Sequence, residues 1–125
     1  LHKRRTQEAE LRQSLRVLRT ALDDYKRAWD QGRIEKKLDD SGFPPNLDVL
    51  VNGVKDATST KGQRIYFLRR LPRDPFADAS LPAAQTWGVR SYASPPDAPV
   101  AGADVFDVFS NSDGVGLDGT PYGQW

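Results

Sequence analysis

An α+β fold is predicted, with one long N-terminal amphipathic helix packed on a small antiparallel sheet. Three observations predict it. Leu11, Leu15, Leu18, Leu22, Tyr25 and Trp29 step by four and three, which places six apolar side chains on one stripe of a helix. Three β-forming runs follow, 64–68, 87–92 and 104–110. No helical periodicity separates them, and strands in sequence without intervening helices favour antiparallel pairing.

The helix is expected from about residue 6 to residue 30, continuing upstream. No Gly or Pro occurs before Gly32, which ends it. Val17, Ala21 and Ala28 widen the apolar stripe. Glu8 with Arg12 and Asp23 with Arg27 have the favourable i,i+4 order for surface ion pairs, each contributing about 0.2–0.5 kcal/mol. Residues 31–64 read as irregular. Within them, Ser41-Gly42-Phe43-Pro44-Pro45 forms a turn, and Asn46 caps a short helix, 47–51, that ends near Gly53. Residues 56–62 are polar and read as an exposed loop. The sheet is expected within about 64–110. The last fifteen residues, 111–125, hold four glycines and read as an ordered loop, with Tyr122 and Trp125 packing on the domain as its clamp.

Composition narrows the chemistry. The 125 residues contain no Cys and a single His, His2, so thiol catalysis, thiolate metal sites and His-based triads are excluded. Ser110 and Ser112 have no base at an identifiable spacing. Asp104 and Asp107, three apart in a strand, face opposite sides and read as solvated. No catalytic residue is assigned, and the chain reads as no enzyme. The net charge of +1 argues against nucleic acid as a partner. Charge is unevenly placed, however: residues 1–19 carry a net +4, and no Lys or Arg follows Arg90, where five Asp give −5. A basic solvated helix and an acidic surface account for this; a helix start near anionic headgroups is the sharper reading.

Two motifs remain. Arg69-Arg70-Leu71-Pro72-Arg73-Asp74-Pro75-Phe76 reads as a corner fixed by two prolines, its arginines pairing with Asp74 and Asp78; an anionic partner is the rival reading. In the last loop, Asp113 and Asp118 are weak candidates for calcium. Calcium prefers six to eight oxygen ligands, and two carboxylates without EF-hand spacing are few, so no metal is assigned. Asx and Gly turns explain the same residues. Aromatic packing by Tyr122 and Trp125 is expected to hold the loop, with calcium optional.

Four segments in order resemble a known family: Phe43-Pro44-Pro45-Asn46-Leu47, Arg69 to Phe76, Trp87-Gly88-Val89-Arg90-Ser91-Tyr92, and Asp104 to Ser110 followed by Asp113-Gly114. They are similar to the proline-rich, RRxPxDPW/F, WGxxY and YDVxSxGxDG stretches of the G-type major pseudopilins of type II secretion systems. The resemblance implies a pilin-like periplasmic domain, and a leader and hydrophobic helix half upstream of Leu1 that anchor it in the inner membrane. The absence of Met at position 1 agrees with a fragment. The resemblance further implies a homo-oligomeric filament assembled through the N-terminal helix, with other pseudopilins and secretion-system components as partners. That filament pushes folded proteins through the outer membrane. The family holds calcium with adjacent acidic residues after the Asp-Gly; here only Asp118 follows, so this chain departs from the pattern. A minor pilin or pseudopilin that initiates or caps a filament, and a soluble calcium- or ligand-binding module, are the alternatives.

Overall fold

The computed structural model describes residues 1–125. It is an α+β arrangement of one long helix and two small antiparallel sheets. Helix α1 spans His2–Asp30 and so continues upstream of residue 6; the Thr6 hydroxyl donates to the carbonyl of His2 one turn back. The helix ends where Gly32 takes a positive φ of 76°. The Gly32 amide donates to Trp29 O, and the Arg33 amide to Ala28 O, the paired bonds of a Schellman motif.

One face of α1 is buried along most of its length. Leu11, Leu15, Leu18, Ala21, Leu22, Tyr25 and Ala28 belong to the single core cluster, and Trp29 is half-buried against it. The expected surface pairs do not form. Glu8 turns to the last loop instead of Arg12, and Arg27 pairs with Asp24 rather than Asp23.

Helix α2, Asp48–Asn52, opens with the Val49 amide donating to Asn46 Oδ1 at 3.1 Å and closes at Gly53, φ 79°. Gly53 leads into β1, Val54–Lys55, which lies in the segment read as irregular. It pairs with β2, Arg64–Ile65, around the expected 56–62 loop. The run 64–68 does not continue as strand, because the amides of Phe67 and Leu68 both turn to the carbonyl of Leu50 in α2. This diverts the chain from the second pair, so the single expected sheet is two separate ladders.

The second ladder joins β3, Trp87–Arg90, to β4, Asp107–Ser110, in antiparallel register from Trp87 opposite Ser110 to Arg90 opposite Asp107. It is shorter than the sequence runs. The amide of Val105 donates to Pro44 O and that of Ser91 to Val100 O, so both strands leave the ladder at that end. Gly88 is required within it: a Cβ there would lie 2.2 Å from the ring of Phe109 on the neighbouring strand. Strand β4 lies against α1 and places Val108, fully buried, in the core. No helix is long and apolar enough to cross a membrane.

Truncating the buried stripe is expected to cost far more than truncating the opposite face. Leu18→Ala and Leu22→Ala should each lose about 2–5 kcal/mol in urea unfolding, and the exposed Arg16→Ala less than about 0.5 kcal/mol. Equal losses for all three would mean that a different face is buried.

Candidate functional site

The C-terminal loop is riveted to α1, and the side chains that do this come from both ends of the chain. Tyr122 is buried at the start of a 3-10 turn, Tyr122–Gln124. Its ring stacks on Phe76, centroids 4.3 Å apart, and meets Trp125 edge-on at 5.0 Å. The Trp125 indole N–H donates to Thr120 O, and the Arg12 guanidinium lies 3.7 Å from the centre of the Trp125 ring. Both expected aromatic clamps are therefore in place.

They do not act alone. Glu8 is only 8% exposed, and its Oε1 accepts the Leu117 amide at 2.6 Å and the Tyr122 hydroxyl at 3.1 Å. Arg4 donates from Nε to the same hydroxyl at 3.2 Å and from Nη2 to the carbonyl of Val115. The bond to Tyr122 is the main reason its guanidinium is held above its ordinary pKa. Arg19 spans three elements, donating to Asp107 Oδ1 at 2.9 Å, to Val108 O at 3.0 Å and to Trp125 O at 2.9 Å.

The pattern on α1 marks these residues. The stripe of fours and threes continues upstream from Leu11 to Glu8 and Arg4, polar side chains at core-facing positions. Such a residue either faces solvent past the end of the core or meets a buried polar partner. Reading Glu8 as half of a surface pair misses the second case.

The two calcium candidates are not brought together as a ligand set. Asp113 is exposed. Asp118 accepts the Thr120 amide at 2.9 Å, closing an Asx turn, and faces Arg12 at 3.5 Å. No group of three His, Asp or Glu stands close enough to hold a metal.

A second polar constellation lies inside the core. Asp74, 1% exposed, accepts the Ser110 hydroxyl at 2.6 Å and the Phe76 amide at 2.9 Å, while its own amide donates to Thr86 Oγ1 at 3.1 Å. Trp87 donates its indole N–H to Pro72 O at 2.9 Å. The expected Arg–Asp74 pair is thus replaced by neutral donors, and a hydroxyl and a backbone amide satisfy the buried carboxylate. Arg73 instead holds the corner by donating to the carbonyls of Asp78 and Leu81. The Asp78 carboxylate is lowered in pKa chiefly by the backbone amide and then the hydroxyl of Ser80. Asp104 and Asp107, read as solvated, are both tied: Asp104 to Ser41 and the Tyr92 amide, Asp107 to Arg19.

These polar contacts fasten the C-terminal loop, the proline corner and the β3–β4 ladder to one another. Comparison with protein-family models, curated proteins and solved structures gives no match for the chain.

The fastening predicts an order of losses. Glu8→Ala leaves the Leu117 amide and Tyr122 hydroxyl without their acceptor and should lower Tm by more than about 5 °C; Glu8→Gln, which keeps an acceptor oxygen, should lose less. Trp125→Ala should lower Tm more than a chelator does, the chelator shift staying below about 3 °C. A larger chelator shift, reversed by calcium and not by magnesium, would restore a metal to the loop.

Proposed function

We propose that the chain is the pilin-like periplasmic domain of a type II secretion pseudopilin: a structural, non-catalytic subunit of a pseudopilus that helps push folded proteins through the outer membrane. The observation that carries this reading is the convergence of the resembling segments. The Arg69–Phe76 stretch, Trp87-Gly88 and the end of the 104–110 run lie up to about 40 positions apart in sequence, yet meet at one buried junction through Asp74, Ser110, Pro72 and Trp87. Their joint occurrence then has one physical cause, which is what a shared family core requires.

In this reading α1 is the assembly element. Its apolar stripe is spent on its own sheets, and the opposite face, with Gln13, Arg16, Thr20, Asp23 and Arg27 exposed, is left to neighbouring subunits. An upstream hydrophobic segment anchors the subunit in the inner membrane before assembly. The other partners are further pseudopilins and components of the secretion system. The work of the family's calcium, fixing the last loop, falls here to Glu8, Tyr122 and Trp125.

The test is genetic and chemical. Deleting the gene should leave exoproteins in the periplasm. Because the chain has no Cys, Arg16→Cys with Asp23→Cys in the full-length protein should give disulfide-linked multimers only when the secretion apparatus is present. Unchanged secretion together with a subunit that never cross-links would overturn the proposal.

A further inference from the structure

One cavity is separate from the clamp and from the Asp74 junction. It is an open cleft of about 920 Å³ at the C-terminal end of α1, walled by Tyr25 and Trp29, the connecting segment around Phe43, the β1–β2 hairpin and the turn at Tyr92. Its volume is at the upper end of small-molecule sites, about 300–1,000 Å³.

Three features of its wall point to one class of ligand. The first is Tyr25, 6% exposed, whose hydroxyl has no hydrogen-bond partner within the protein although the side chain lines the cleft. Burial, and then the negative charge of Asp40 in the same wall, raise its pKa, so it stands as a protonated O–H. Asp40 uses one oxygen on the Lys37 amide, 2.8 Å away, and leaves the other free. A hydroxyl is one group able to accept from Tyr25 and donate to Asp40 at once. The Trp29 indole N–H is buried and has no hydrogen-bond partner.

The second feature is Tyr92. It is 60% exposed, yet its ring is fixed, near-parallel to Phe43 at 6.1 Å and edge-on to Phe106 at 5.5 Å. Phe43 and Phe106 are themselves in edge contact at 5.0 Å. A rigid aromatic face turned to solvent at the lip of a cleft is a stacking platform that costs little ordering entropy.

The third is charge. Four acidic residues on the rim, Glu35, Asp39, Asp40 and Asp104, face three basic ones, Lys37, Lys55 and Arg64, and the partners of Asp104, the Ser41 hydroxyl and the Tyr92 amide, are neutral. The rim has no positive excess to attract a phosphate or another anion, and its charged groups suit a polar ligand better than a lipid tail.

We infer that this cleft binds a neutral saccharide: a sugar ring stacked by its C–H face on Tyr92, with one hydroxyl bridging Tyr25 and Asp40. Binding of this kind needs no assembly and is measured on the 125-residue chain, so its outcome is independent of the secretion reading.

The probes are maltotriose and tri-N-acetylchitotriose, added at millimolar concentrations while amide shifts are followed by NMR. At least one should move the amides of Phe43, Tyr92 and Lys55 in a saturable way. Tyr25→Phe, which keeps the ring and so the packing, should weaken that binding about tenfold, the loss of one hydrogen bond to a ligand. Tyr92→Ala should weaken it by at least as much, and its unchanged far-UV circular dichroism would show the fold intact. No saturable shift with either sugar, sugar binding indifferent to Tyr25→Phe, or saturation of the cleft by an extended apolar peptide instead would each overturn the inference.

Discussion

Asp74 sits in the core with no cation beside it, and the structure around it is arranged to make that tolerable. A carboxylate removed from water costs several kcal/mol unless directed donors replace the solvent. Here the donors come from different parts of the chain: the Ser110 hydroxyl from the end of β4 and the Phe76 amide from the corner itself. The amide of Asp74 is in turn bound to Thr86, the residue before β3. One side chain therefore fixes where the β3–β4 ladder begins relative to the proline corner, and the Trp87 bond to Pro72 closes the same joint from the other side. Phe76, one residue beyond Pro75, is then in place to receive Tyr122. Corner, ladder and C-terminal loop are parts of one connected arrangement.

This matters because the sheets are too small to stand alone. Two-residue and four-residue ladders are marginal in water and depend on what they cover. What they cover is the stripe of α1, whose burial is the largest apolar contribution in the domain. Helix and ladders thus need each other, and the polar joints fix the geometry in which the apolar surfaces meet. Arg19 is the third such joint, a partly exposed fork reaching β4 and the final residue at once.

The sequence made the helix legible because its period repeats over five turns, and Gly32 marks its end by a backbone need that other residues meet poorly. The aromatic clamp was legible from Tyr122 and Trp125, and the small helix from Asn46. The division into two ladders was not, because it depends on where single amides are spent: Phe67 and Leu68 on Leu50, Val105 on Pro44. No local propensity records such choices. Val54–Lys55, two residues long, has no periodicity to detect. The roles of Glu8, Arg19 and Asp74 escaped for a related reason. Charged residues default to solvent, and only the partner, more than 30 positions away in each case, shows that these do not. Glu8 alone carried a warning, since it interrupts the core-facing stripe.

The contacts between α1 and the last loop join residues at the extreme of sequence separation: 109 positions from Glu8 to Leu117, 118 from Arg4 to Tyr122. During synthesis the helix leaves the ribosome well before the loop that seals its upstream half. Glu8 keeps its water until the loop arrives. Closing so long a span carries a loop-entropy cost and belongs to the slow end of folding. Until then the long amphipathic helix keeps an open flank, and that flank is shut only when residues 115–125 reach it.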